Sequence, residues 1–522
     1  MHTTLARALR RLALLALAAA LVAAAGLAAG CGSSSSAGDA DPAAAIPASA
    51  PLYAEAVLRP DGTLGANVDA VARKVLATDD PAGKIAELFD RAARNDGLTF
   101  RKDVEPWLGK RAGAAVTSLG GTGKADGVLV LASKDDDLAR KTIASSPQAG
   151  APRSYNGVDY RLDAANGTAI AVTGGRVLIG SERGLHAAID ASKGDSLAGS
   201  AKLKRARDAI PGDQLGFLYL DVRGFVQAAA SQAGMSSGPA AALLGTMSAS
   251  LPQTIAARVG AQPDAITIDA AAIGLQSTAE PGAGGAAMLT RLPRSSWLAL
   301  GVGNLGRTLD DTLTQVSSSG LGGLGVEALL RQFRQRSGLD VRRDLLAWMG
   351  DAGIFVSGTS TREIGFGLVV DSKDAAATRR AVGKLARLAG ATSGTLVGPL
   401  TTAGVDAGFT VKSSGGPEIF VAAAGDRFVI AAGRPAFEQA LAPTETLGTA
   451  PAFAGAAAKL GGAYRPAFFL DMPQVTRLIG DAAGSDARFA RAKPYLDAFS
   501  GVVAGARRDG DVSRARIVAT VR

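Results

Sequence analysis

Apolar residues from 52 to 58 form a short run closed by Arg59-Pro60-Asp61-Gly62, the pattern of a strand entering a turn. Leu64, Val68, Val71 and Val75 then recur at helical spacing. Ile85, Leu88 and Phe89 repeat that spacing after Asp80-Pro81, a cap followed by a proline start. Strand patterns occupy 127–132, 155–162, 168–172 and 176–181, and a helix over 135–143 separates the first two. Helical stretches at 184–191 and 201–209 lead to an apolar strand at 215–220 and a helix from Val222. Segments 254–260 and 265–272, turned by Gln262-Pro263-Asp264, predict a closing hairpin.

The same order returns later in the chain. GLTFRKDVEPWLG at 97–109 is echoed by GLDVRRDLLAWMG at 338–350, and Trp348 follows Trp107 by 348 − 107 = 241 residues. That spacing is too long for a solenoid and fits a duplicated domain. Strand 297–302 matches 52–58, 364–370 matches 128–131, and Gly404-Val405-Asp406 matches Gly157-Val158-Asp159. Segments 419–424 and 427–431 match 168–172 and 176–181; Phe468-Phe469-Leu470-Asp471 matches Leu218-Tyr219-Leu220-Asp221. The expected fold is α+β, with two tandem homologous halves at 51–275 and 291–522. Each half should be a mainly antiparallel sheet with packed helices, and a Gly/Ala/Pro linker should join them over 276–290.

The N-terminus carries an address. Arg7, Arg10 and Arg11 precede the uncharged apolar run 12–29, as in a signal peptide spanning 1–30. Leu27-Ala28-Ala29-Gly30-Cys31 follows, and Cys31 is the only cysteine, so no intramolecular disulfide can form. These residues resemble the lipobox of bacterial lipoproteins, which implies lipid on Cys31 and a place on the extracytoplasmic face of the cell membrane. From Cys31 to Ala50 the Ser, Ala, Gly, Asp and Pro composition predicts a flexible tether. Loss of the signal lowers the formal charge from +9 to +6, and the remaining bases are scattered among acids. Without a basic stripe or interleaved aromatics, no nucleic-acid partner is expected.

PLYAEAVLRPDG (51–62), TDDPAGKIAELFD (78–90) and DVEPWLGKRAG (103–113), with the lipobox and tether, resemble bacterial envelope proteins of the domain-of-unknown-function 3352 family. The resemblance covers nearly all of the mature chain. It implies an architecture and no reaction.

Candidate chemistry is sparse. Gly301-Val302-Gly303-Asn304-Leu305-Gly306 spells GxGxxG between a strand and a helix, but the first half has no such glycines at Arg59-Pro60-Asp61-Gly62. It reads as a glycine turn, as does the match at Gly320, Gly322 and Gly325. His186, the only histidine outside the signal, lies in a helical pattern and reads as solvated or capping. A His/Cys zinc site or a histidine-based triad then lacks members, and no cofactor, metal or catalytic residue is assigned. Asp103 with Asp344, and Asp221 with Asp471, recur in pairs that could do acid/base work. All four stand where a helix begins, so capping is the favoured reading. Trp107 and Trp348 are expected to pack against the sheet. The expected function is a non-catalytic, lipid-anchored binding or scaffolding protein of the cell envelope, with an envelope protein or an apolar ligand as partner. The alternatives are an extracytoplasmic hydrolase using paired carboxylates and a carrier holding an apolar ligand between sheet and helices.

Overall fold

Alternating burial along most strands sets the architecture, because one face of each must find a helix or another apolar surface. The computed structural model describes residues 38–93, 100–119, 125–145, 150–232, 251–275, 283–318, 325–391 and 394–522. The described residues divide into two compact units. The first holds those up to 275 with Asp509–Arg514 and Val521–Arg522, and the second those from 283 to 508 with Ala515–Thr520.

The first unit contains β1 (Leu52–Val57), β2 (Leu108–Leu119), β3 (Ala125–Ser133), β4 (Ala151–Tyr155) and β5 (Val158–Asp163). It continues with β6 (Thr168–Thr173), β7 (Arg176–Ser181), β8 (Gly216–Asp221), β9 (Thr254–Gln262) and β10 (Ala265–Ile273). They pair in the order β4-β5-β6-β7-β3-β2-β1-β8-β9-β10, each step antiparallel. Its helices are α1 (Gly62–Leu76), α2 (Pro81–Ala93), α3 (Asp136–Ser145), α4 (Glu182–Ala191), α5 (Ala201–Ala209) and α6 (Val222–Gln232). One face of the strands packs on α4 and α5 through Tyr160, Leu178, Leu185, Ile189 and Leu203.

The second unit has helices α7 (Ala283–Arg291), α8 (Leu305–Ser318), α9 (Val326–Ser337) and α10 (Ala375–Gly390). α11 (Arg434–Leu441), α12 (Pro451–Leu460), α13 (Met472–Ala483) and α14 (Ala487–Asp497) follow. Its strands are β11 (Leu298–Val302), β12 (Met349–Ser357), β13 (Gly365–Ser372), β14 (Thr395–Pro399) and β15 (Ala407–Ser413). The rest are β16 (Ile419–Ala424), β17 (Arg427–Ala432), β18 (Arg465–Asp471), β19 (Phe499–Asp509) and β20 (Val512–Val521). The order β14-β15-β16-β17-β13-β12-β11-β18-β19-β20 is that of the first unit, strand for strand. The fold class is therefore α+β, as expected, with antiparallel pairing.

Several boundaries differ from the sequence reading. The flexible tether predicted through Ala50 ends sooner: Asp41 caps a 3-10 turn over Pro42–Ala45, and its carboxylate accepts the Ala43 N–H at 3.0 Å. Ala43, Ala45 and Ile46 are fully buried in the first core. The predicted linker 276–290 likewise gives way to α7 from Ala283, with Met288 and Leu289 buried. In both places small residues look like spacer by composition but permit close packing. A Cβ on Gly285 would lie 2.8 Å from the Gly301 carbonyl oxygen. Strands β2 and β12 were not predicted, because their Ala- and Gly-rich sequences show no clean alternation; β2 is buried on both faces for much of its length. The predicted strand 155–162 is a hairpin instead, since Asn156 and Gly157 both adopt positive φ, as a two-residue type I′ turn requires.

Candidate ligand-binding groove

The two units can be laid residue on residue through their strand registers. In the first, Arg161 faces Ile170, then Ile179, Leu129, Ala114, Ala54, Leu218 and Ala257 across successive strands. In the second, Phe409 faces Val421, then Ile430, Leu368, Ile354, Leu300, Phe468 and Ala504. Pro152 sits opposite Arg161 and Pro399 opposite Phe409, extending the row by one more strand. Arg161 thus stands where the second unit has a phenylalanine. The match of Gly404-Val405-Asp406 to Gly157-Val158-Asp159 is one residue out, because the register places Asp159 level with Ala407. A slip of one exchanges the two faces of a strand.

The helix above this row differs too. α10 has 16 residues, and its later turns pack Leu385, Ala386 and Ala389 against Phe409, Val421 and Val411. α3 has 10 described residues and packs Leu138, Ala139 and Ile143 toward Trp107, Ile170, Val172 and Val177. Beside its last turn lies a groove of about 700 Å³. Arg140, Ile143 and Ala144 of α3 form one wall, Pro152 and Arg153 of β4 another, and Asp159, Arg161, Ile170 and Val172 lie on β5 and β6. On β5 the residues Asp159, Arg161 and Asp163 occupy the face that carries Ala407, Phe409 and Val411 on β15.

Three arginines border this groove with different degrees of satisfaction, and Arg153, level with Tyr160, shares the opposite face of the sheet from Arg161. Arg140 pairs with Asp137 at 2.7 Å, and Arg153 with Glu182 at 3.4 Å. Arg161 donates to the Gly150 carbonyl at 3.2 Å and forms no ion pair with a described carboxylate. It is the cation best placed to accept an anion from outside.

On the opposite face of β5, Tyr160 donates to Glu182 at 2.6 Å, a bond that pushes its phenol above the ordinary value. Tyr160 meets His186 Nε2 at 3.3 Å, and Tyr155 stacks on the imidazole at 3.7 Å between centroids. His186 is therefore held between two tyrosines, not solvated as its helical position suggested. A second polar cluster, also absent from the sequence reading, surrounds Glu55. This carboxylate is 4% exposed and accepts from Arg207 at 2.8 Å, Tyr53 at 3.1 Å and Arg111 at 3.3 Å. Burial pushes Glu55 above the usual carboxylate range, and the two arginines pull against it. The only sequence signal was a lone acid in an apolar strand.

The carboxylate pairs separate by role. Asp221 accepts the Gly224 N–H at 3.0 Å and Asp471 the Gln474 N–H at 3.1 Å, so both cap helices as expected. Asp344 does not. It lies inside a π-helical turn over Val341–Leu345 that is capped by Asp340, which accepts the Arg343 N–H at 3.1 Å. Asp344 returns the bond by accepting the Asp340 N–H at 2.9 Å, and it also holds Lys384 at 2.6 Å. Asp103 lies within the corresponding π-helical turn over Phe100–Val104. The carbonyls of Asp103 and Asp344 accept the indole N–H of Trp107 and Trp348 at 2.7 and 2.8 Å, and both rings are buried. Among the described residues no group of three or more His, Cys, Asp or Glu could hold a metal ion. Gly301 and Gly306 of the GxGxxG stretch press against the carbonyls of Gly285 and Leu346, and β11 is antiparallel to both neighbours. A dinucleotide turn instead opens a parallel βαβ unit. The signal peptide, Cys31, residues 97–99 of the first repeated block, and Gly320 and Gly322 lie outside the described residues. No described helix is long and apolar enough to cross a membrane.

A family model described as "Protein of unknown function (DUF3352)" matches residues 12–518. No curated protein matches the chain. Among solved structures, crystal form III of TP0453 is similar at 11% identity and a TM-score of 0.25, covering 46% of this chain and 82% of that one. Crystal form IV gives 10% identity and a TM-score of 0.26, over 45% and 81%.

Proposed function

We propose that this chain, which belongs to the DUF3352 family, binds a ligand without transforming it while lipid on Cys31 holds it to the extracytoplasmic face of the cell membrane. The binding half of that reading rests on one observation. A groove opens in the first unit over the row position where the second unit is filled by Phe409 and α10. Binding is favoured over hydrolysis because Asp221 and Asp471 are engaged as helix caps and Asp344 is tied to Lys384. The address is supported by the basic start, the apolar run and the Gly30-Cys31 junction. The shared strand order supports descent of both units from one duplicated module.

The address is tested by mass analysis of the mature chain from membranes. The wild type should begin at an acylated Cys31, and Cys31→Ser should block both lipid attachment and cleavage after Gly30. A mature wild-type chain that starts elsewhere, or lacks acyl groups, defeats the anchor.

A further inference from the structure

The lining of the groove narrows the class of ligand. Arg161 presents a planar fork of donors that matches a carboxylate or phosphate in two parallel hydrogen bonds. In the second unit the corresponding site is apolar core, so a charged residue here is a departure from the shared pattern and not a requirement of the fold. Around Arg161 the lining mixes charge with hydrocarbon: Asp159 and Arg140 border the groove, and beside them Ile143, Ile170 and Val172 are only partly buried and border the open volume. Leaving such surface wet is unfavourable, and a ligand that covered it would gain by its removal from water. Arg140, paired with Asp137 but more than half exposed, also borders the groove. A site of about 700 Å³ is large enough for a small molecule with both a head and a chain.

We propose that the groove takes an anionic amphiphile, its acid group on Arg161 and its hydrocarbon along Ile143, Ile170 and Val172. The proposal rests on the reading of the groove as a binding site and adds the ligand's chemistry. A free inorganic anion would satisfy Arg161 and leave the apolar lining uncovered. An uncharged lipid would cover the lining and leave Arg161 without its anion.

The test uses the full chain in its membranes and a diazirine-bearing alkyl phosphate as photoprobe, with labelled peptides mapped by mass spectrometry. Label should concentrate on peptides containing Ile143 and Ile170–Val172. Dodecyl phosphate should compete it away about tenfold more effectively than dodecyl maltoside or inorganic phosphate, since only the first satisfies both parts of the site. Arg161→Glu should reduce the label about tenfold or more, and Arg161→Gln should also reduce it while keeping a side chain of similar polarity. Hydrogen exchange of both variants should match the wild type, separating lost binding from lost folding. If inorganic phosphate competes as well as dodecyl phosphate and the label still depends on Arg161, the amphiphile is wrong and the groove remains a binding site. If labelling is indifferent to Arg161 and spread over other peptides, both the amphiphile and the groove reading fall.

Discussion

Arg161 and Phe409 occupy the same step in two rows of paired residues, yet one borders an open groove and the other a closed core. The comparison shows that strand order and register do not by themselves decide whether this layer is filled. Two changes go together. A helix as long as α10 laid over Arg161 would desolvate a guanidinium that has no carboxylate partner among the described residues, at a cost of several kcal/mol. A phenylalanine in the open groove would instead add exposed apolar surface. The short helix and the arginine are each tolerable because of the other, and in the proposed reading they turn a packing position into a recognition position.

Exchanging the two residues gives the largest expected effect. Phe409→Arg removes a ring that is 5% exposed and puts an unpaired charge under α10, so it should cost about 4 kcal/mol or more. Arg161→Phe changes a residue at an open groove and should stay within about 1 kcal/mol. Urea unfolding, with hydrogen exchange to assign each loss to its unit, measures both. Equal costs would mean that the two positions are not the filled and unfilled versions of one site.

Much of this frame was legible in the sequence, and the part that was not has physical reasons. Apolar strands such as 52–58 and 215–220, and the caps at Asp221 and Asp471, follow from periodicity and local hydrogen bonding, which act over a few residues. β2 escaped because a strand buried on both faces and rich in small residues loses its alternation, and β12 because small residues at its start hide its period. Residues 41–50 and 283–290 escaped because alanine and glycine read as spacer until something packs on them. The groove escaped for another reason. Arg161 lies in an ordinary alternation with Tyr160 and Leu162, and its meaning appears only beside Phe409 in the correct register. Matching the halves by letters at Gly404-Val405-Asp406 put the wrong face forward. The same limit misplaced Asp344, whose partner Lys384 lies 40 residues away.

Lys384 sharpens the comparison further, because it stands level with the last residue of α3 and the first unit has no lysine there. It stands ten residues beyond the cap Asp374, where the first unit, counted from Asp135, has Ser145. The Lys384 hydrogen bond holds the Asp344 carboxyl below its ordinary value of 3.8, although burial opposes it. The folded state therefore binds fewer protons than the unfolded chain just below that value. The Asp344 contribution is complete above about pH 4 and is lost as pH falls through the depressed folded value. Asp344→Asn should cost about 1–3 kcal/mol at neutral pH, and the difference from wild type should shrink toward zero in acid. Urea midpoints measured from neutral pH into acid, read on peptides spanning 338–350, check this. A difference that persists unchanged in acid would assign Asp344 a packing role instead of an ionic one.

The smallest expected effect concerns the caps and bears on whether the paired aspartates are structural in both units. Asp221 opens α6 and Asp471 opens α13, each accepting an N–H three residues on. Removing such an acceptor leaves a first-turn donor unpaired and typically costs about 1 kcal/mol. Asp221→Ala and Asp471→Ala should each lose roughly that amount. Asn supplies an equivalent acceptor, so Asp221→Asn and Asp471→Asn should lose only a few tenths of a kcal/mol as caps. Asp221 also pairs with Lys202 at 2.5 Å, and Asp471 forms no described ion pair. The asparagine change should therefore cost slightly more in the first unit, by up to about 1 kcal/mol, with the excess shrinking at high salt. Thermal melts of the four variants at low and high salt separate the terms. If the asparagine variants keep their stability yet lose a hydrolytic activity found in the wild type, the carboxylates are doing chemistry. In that event the helix starts at Asp221 and Asp471 would have to be reinterpreted as parts of a site.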